Sequence, residues 1–177
     1  MATLGMAEPA VTMSEVQAYV RIETGEEEAV LAGLIRTASA LCESFLNQIV
    51  IAREFVTELP ASGGWERLAP SPARAITSVE GVDANGVTTS LQSGDYSVDI
   101  DSAGDGWVRV ASAVSARRVR VTGTAGLAVS ENEVPEPIRQ GILRLVAHLF
   151  TVRDGAGGDP PAAVIALWRP YRRIRVR

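Results

Sequence analysis

The chain has 177 residues, a net charge of −4 from 17 cationic and 21 acidic side chains, and 46% hydrophobic residues, the length and balance of about one folded domain. Every cationic side chain is an arginine, and there is one cysteine, Cys42, and one histidine, His148. These absences exclude a Schiff-base or P-loop lysine, an intrachain disulfide and a zinc site of Cys and His ligands; no run of about 18 apolar residues suggests a membrane span.

Residues 1–12 have neither a positive n-region nor a long apolar stretch and are expected to form a flexible N-terminal arm. Thr12 and Glu15 stand at capping-box spacing, in which a hydroxyl and a carboxylate each satisfy a free backbone donor of a helix start. With Val16, Tyr19 and Val20 at helical spacing, this predicts a short helix over 13–22. Thr24 and Glu27 repeat the capping spacing, and Glu26, Glu27 and Glu28 fall where a helix dipole favours negative charge. Val30, Leu31, Leu34, Ile35, Ala38, Leu41, Cys42, Phe45, Leu46 and Ile49 then follow the i, i+3, i+4 rule, predicting a second helix over 26–47. Cys42 lies in that stripe and reads as a small buried hydrophobe rather than a nucleophile.

From about 49 to 126 the period changes to two. "IVIAREFVTEL" is rich in β-branched residues. "ARAITSVEGVDANGVTTSL" reads as strands over 76–82 and 87–91 around the turn Asp83, Ala84, Asn85 and Gly86, whose Asn-Gly pair favours a hairpin. "DYSVDID" and "WVRVAS" form another pair through "SAGDG", and "RRVRVTGTAG" is a further strand. Five to seven short strands of this kind point to an antiparallel sheet, sandwich or barrel.

"VPEPIRQGILRLVAHLFTVRDG" restores the helical period, with Pro135 or Pro137 suited to the first turn and Ile138, Ile142, Leu145, Val146, Leu149 and Phe150 as the buried stripe. His148 falls beside that stripe and reads as exposed or bonded to a carboxylate rather than catalytic. "GAGGDPP" is a loop, and "PAAVIALWRPY" is a short helix ended by Pro170. The expected fold class is α+β: a helical bundle of two N-terminal helices, a long late helix and a short C-terminal helix, with an inserted antiparallel β region and an extended C-terminal tail. Residues 13–168 read as a single domain, with the β region at about 49–126 inserted between helices, followed by a tail over 169–177.

The sequence assigns no catalytic, cofactor-binding or metal site, no cofactor is expected, and the chain is not read as an enzyme. Asp99, Asp101 and Asp105 in "DIDSAGDG" lack the EF-hand spacing and its closing Glu, so a polar turn is expected. "VTGTAG" is not the dinucleotide fingerprint, and no G-x-S-x-G elbow occurs. A small hydrolase or carbohydrate-binding domain on the β region would need a nucleophile–base pair that cannot be named.

The tail departs from the rest. Five of the 17 arginines lie in 169–177, which holds no acid; the other 12 stand against 21 acids, giving −9 for the body and +5 for the tail. Three readings compete: a solvated cationic end, a nucleic-acid-binding module that uses the arginines on phosphate, and a docking strand. "RRIRVR" alternates arginine with Ile174 and Val176, the period of a strand, and Trp168 and Tyr171 precede it. The acidic body opposes general nucleic-acid binding, so the docking strand is preferred. Its expected binding residues are Trp168, Arg169, Tyr171, Arg172, Arg173, Ile174, Arg175, Val176 and Arg177.

Several segments together carry a resemblance: "MSEVQAYVRIETGEEEAVLAGLIRTASALCESFLNQIV", "YSVDIDSAGDGWVRV", "VRVTGTAG", "VPEPIRQGILRLVAHLFTVRD" and "PAAVIALWRPYR". In this order they resemble the head–tail connector (adaptor) family of HK97-like tailed phages and gene transfer agents, with the late helix over 134–153 and the "LWRPYR" ending the most telling parts. Phe150 stands near a place where the family often has tyrosine. The resemblance implies a non-catalytic subunit that assembles as a ring, usually a dodecamer, beneath the portal protein of the filled capsid. It implies that the ring extends the channel for double-stranded DNA, which passes without sequence-specific binding, and meets a stopper or tail terminator protein. It also implies synthesis in the bacterial cytoplasm, a place at the head–tail junction of a phage-like particle, no membrane partner, and portal contact through the 169–177 tail. An acidic body suits such a channel, because anionic walls repel phosphates; Glu and Asp side chains are therefore expected to line the lumen.

Overall fold

The computed structural model describes residues 2–22, 27–111, 116–152 and 160–174. The chain divides into two compact units, Met1–Ala7 with Ala52–Leu127, and Glu8–Ile51 with Ala128–Arg177. The first is the β unit, the second the helical unit.

In the helical unit, α1 (Met13–Val20) opens on a complete capping box. Thr12 Oγ1 accepts from the Glu15 N–H at 3.2 Å, and Glu15 Oε2 accepts from the Thr12 N–H at 2.8 Å. Val11 and Val16, the two positions of a hydrophobic staple around that cap, are both buried. The helix stops at Arg21, whose backbone is left-handed at φ 60°. Only Val16 of the helix's expected apolar face is buried, while Tyr19 is exposed.

Helix α2 (Glu28–Leu46) buries Leu31, Ile35, Ala38, Cys42 and Leu46. Burial pushes the Cys42 thiol pKa far up, as a structural cysteine requires. Thr24 and Glu26 of the second expected cap lie outside the described residues; Glu27 takes the cap position, and its side chain does not cap the helix. Val30 and Leu41, expected in the buried stripe, are exposed. By length and composition α2 could cross a bilayer, with a mean hydropathy of 1.4 over its best window, although no unbroken apolar run marks it in the sequence.

Helix α3 (Glu136–Thr151) starts after Pro135 with Pro137 in its first turn, where a missing N–H costs nothing. It buries Ile138, Gly141, Ile142, Leu143, Leu145 and Val146; Leu149 and Phe150 are half-buried and His148 is exposed. An ion pair between Arg139 and Glu15 ties α3 to α1. Helix α4 (Ala162–Trp168) buries Val164 and Trp168.

The β unit holds two antiparallel sheets. One runs in the order β1-β2-β8-β4-β5, from Thr3–Leu4, Arg53–Pro60, Arg118–Ala125, Ala73–Val82 and Thr88–Ser90; the other runs β3-β7-β6, from Glu66–Arg67, Gly106–Val110 and Tyr96–Ile100. Central β8 buries every second residue, Val119, Val121, Gly123 and Ala125, the period of a strand with one covered face. The turn from β4 to β5 is four residues long: Gly86 N–H donates to Asp83 O at 3.2 Å, and only Gly86 takes positive φ, at 84°. This is a type I turn closed by a left-handed glycine rather than a two-residue Asn-Gly turn.

Several of residues 2–12, expected as a flexible arm, make contacts with the rest of the chain. Thr3 and Leu4 pair with Val56 and Phe55, the Gly5 N–H donates to Glu54 O at 2.8 Å, and Ala10 and Val11 are buried. The inserted region leaves and rejoins the helical unit side by side: Ile51 bridges Ala128, and the Ala128 N–H donates to Val50 O at 3.0 Å. That adjacency lets a whole β unit be inserted without parting the helices.

Candidate partner-binding tail

The C-terminal segment is built on the end of α2. That helix has no basic residue in its last turn, and its terminal carbonyls have no intrahelical partner. Asn47 turns left-handed at φ 56° and Gln48 follows, both N–H groups donating to Glu43 O. The tail then supplies a partner: the Arg173 N–H donates to Leu46 O at 2.9 Å. Gln48 Nε2 donates to Tyr171 O, and Asn47 Nδ2 to Arg173 O at 3.4 Å. The Arg172 guanidinium sits 5.2 Å from the Phe45 ring centre, a cation–π contact. Arginines at the negative end of a helix dipole are favourable, so the tail's charge suits the place where it is held.

The structure separates the expected binding residues. Trp168 is fully buried: its Nε1 donates to Ile138 O at 3.2 Å and its ring lies 5.9 Å from that of Phe45. It is a core residue of the helical unit. Arg169, Pro170 and Tyr171 form a 3-10 turn rather than extended chain. Tyr171 and Arg173 are half-buried, Arg169 and Arg172 are exposed, and Ile174 is 86% exposed. Arg175, Val176 and Arg177 lie outside the described residues. Among the described residues of the tail the exposed ones are Arg169, Pro170, Arg172 and Ile174. Asn47 and Gln48, which hold the tail, carried no sequence signal beyond the end of a helix.

Other polar groups are internally engaged. Asp101 Oδ1 accepts from the Ala103 and Asp105 N–H groups, both at 2.9 Å, and its Oδ2 from Trp107 Nε1 at 3.0 Å, the bonding of a polar turn. Among the described residues no three His, Cys, Asp or Glu side chains converge as metal ligands would. Arg118 and Arg120 both pair with Glu58 at 3.0 Å, beside an open groove of about 770 Å³ on the β unit. Their charge is therefore shared with a carboxylate rather than free for phosphate.

The head completion protein family matches residues 10–154. The chain belongs to that family. No curated protein matches it. Among solved structures it is similar to a chain of the neck of an empty GTA particle computed with C6 symmetry, at 26% identity and a TM-score of 0.79, covering 100% of this chain and 97% of that one. It is likewise similar to a chain of the virion of a native gene transfer agent particle, at 28% identity and TM-score 0.78 with the same coverage. A chain from the neck of a native GTA particle computed with C12 symmetry shares the fold, at 24% identity and TM-score 0.76. For this head completion protein the family match spans α1 to α3, while α4 and the tail lie beyond it.

Proposed function

We propose that this head completion protein is a structural head–tail connector that sits as a ring at the junction of a phage-like particle and uses its tail to grip a neighbouring component. The observation that carries the reading is the end-to-end likeness to neck and virion chains of gene transfer agent particles, together with the family match. The connector role and the place at the head–tail junction follow from those two findings. The protein works through contacts, without catalysis. A neck with C6 symmetry supports a ring whose copy number is a multiple of six, and we adopt twelve. The partners proposed are the portal protein on one side and a stopper or tail terminator on the other. Double-stranded DNA passes through the ring without sequence-specific contact, eased by the body's charge of −9 against the +5 of the tail.

The end of the tail, Ile174 with Arg175, Val176 and Arg177, is the proposed portal grip. Its alternating pattern suits strand addition to a partner sheet, and the bonds at Leu46, Asn47 and Gln48 give it a fixed starting point. Replacing Ile174 and Val176 with aspartate in the full chain is the test. The body should stay folded while portal attachment is lost and particles lack tails; full assembly would refute the grip. If the arginines serve nucleic acid instead, deleting residues from 174 onward lowers salt-sensitive DNA affinity and leaves portal attachment intact. Mass measurement of the protein with and without portal reads the ring's copy number.

A further inference from the structure

Helix α2 has two apolar faces, and its own fold covers one. Leu31, Ile35, Ala38, Cys42 and Leu46 are buried in the helical unit. At about 100° per residue, Val30, Leu34 and Leu41 fall on a line beside that stripe. Val30 is 46% and Leu41 40% exposed, and Leu34 is half-buried. Gly33, Thr37, Ala40 and Ser44 flank the line, Glu28 and Glu43 lie on its far side, and the Arg36 guanidinium reaches only the edge of this face, beside Gly33. The Thr37 hydroxyl already donates to Gly33 O at 3.0 Å, so it asks nothing of water. Only 28% of the helix's apolar window is buried. A helix face left to water carries charge; an uncharged exposed face with an apolar line is a contact surface.

Gly33 supplies an independent observation. A Cβ there would meet only the end of the Arg36 side chain, at 3.9 Å, so the chain's own packing does not require glycine. Glycine weakens a helix interior relative to alanine, and its use here leaves room for another molecule's backbone to approach.

We infer that this face of α2 packs against a neighbouring copy of the same chain. The inference rests on the ring reading above. In a closed ring every copy must present a surface to the next, and the contact is head-to-tail, so this face meets a different surface of its neighbour. A face whose central line of Val30, Leu34 and Leu41 is uncharged, along a 19-residue helix, suits side-by-side packing, whereas contact with another component falls to the cationic tail.

The test places a photo-cross-linking residue at position 41 of the full chain in assembled particles. Cross-links should join two copies of this chain. Cross-links to portal or tail protein, to lipid, or only within one copy would overturn the inference while leaving the ring reading intact. A particle holding a single copy would sink both. Two variants separate assembly from folding. Gly33→Ala should unfold at a temperature equal to or above wild type yet enter particles less well, and Leu41→Arg should keep its helical spectrum yet lower incorporation at least tenfold. Wild-type incorporation of both would refute the proposal.

Discussion

The indole of Trp168 lies against Gly141: a methyl group at position 141 would stand 2.1 Å from the indole Nε1, which donates to the Ile138 carbonyl. This contact joins α4 to α3 and sets where the tail begins. Gly141→Ala must displace the indole and should cost roughly 1–3 kcal/mol as overpacking. Trp168→Ala should cost about 3–5 kcal/mol through the cavity it leaves. Urea denaturation of the helical signal checks both, and an unchanged midpoint for Gly141→Ala would show that the contact is not close.

Glu15 makes the helical unit acid-sensitive. Its pKa is held below the usual 4.5 chiefly by the Thr12 N–H, helped by the Thr12 hydroxyl and the Arg139 guanidinium and opposed by burial. The folded value is lower than the unfolded one, so this stabilisation is complete above the unfolded pKa and is lost as pH falls through the folded one. Thermal unfolding of wild type should weaken progressively as pH drops below about 4.5. Glu15→Gln should be less stable than wild type at pH 7, with a shallower loss in acid. A slope identical to wild type would exclude the capping box as a source of acid sensitivity.

The anchor of the tail can be weakened without touching the tail. Asn47→Gly keeps the left-handed backbone but removes the side-chain bond to Arg173 O, and Gln48→Ala removes the bond to Tyr171 O. Each lost bond is worth about 0.5–1.5 kcal/mol, too little to unfold the unit. Hydrogen exchange at the Arg173 amide, bonded to Leu46 O, should accelerate strongly in the double variant. Unchanged exchange would mean that the Leu46 bond alone holds the tail.

The parts legible in the sequence are those set by neighbours along the chain. The Thr12–Glu15 capping box, the turn at Asp83–Gly86 and the stripe of Ile138, Ile142, Leu145 and Val146 each depend on spacings of three or four residues. The pairing of Thr3 and Leu4 was not legible, because two residues hold no period and their partners, Val56 and Phe55, lie far along the chain. The burial of Trp168 was not legible on similar grounds. An aromatic ahead of a cationic segment suits an interface, but the room for it is made by Gly141 on another helix.

The order of the four helices around a β region, the α+β class and the split between an acidic body and a cationic end were settled by composition and local period alone. Which apolar faces meet their own core was settled only in three dimensions: Leu31 and Leu41 both fit one apolar helix pattern, yet Leu31 is buried and Leu41 is exposed. A helical repeat places side chains around an axis; burial depends on what distant parts of the chain bring against each side, and no local pattern contains that.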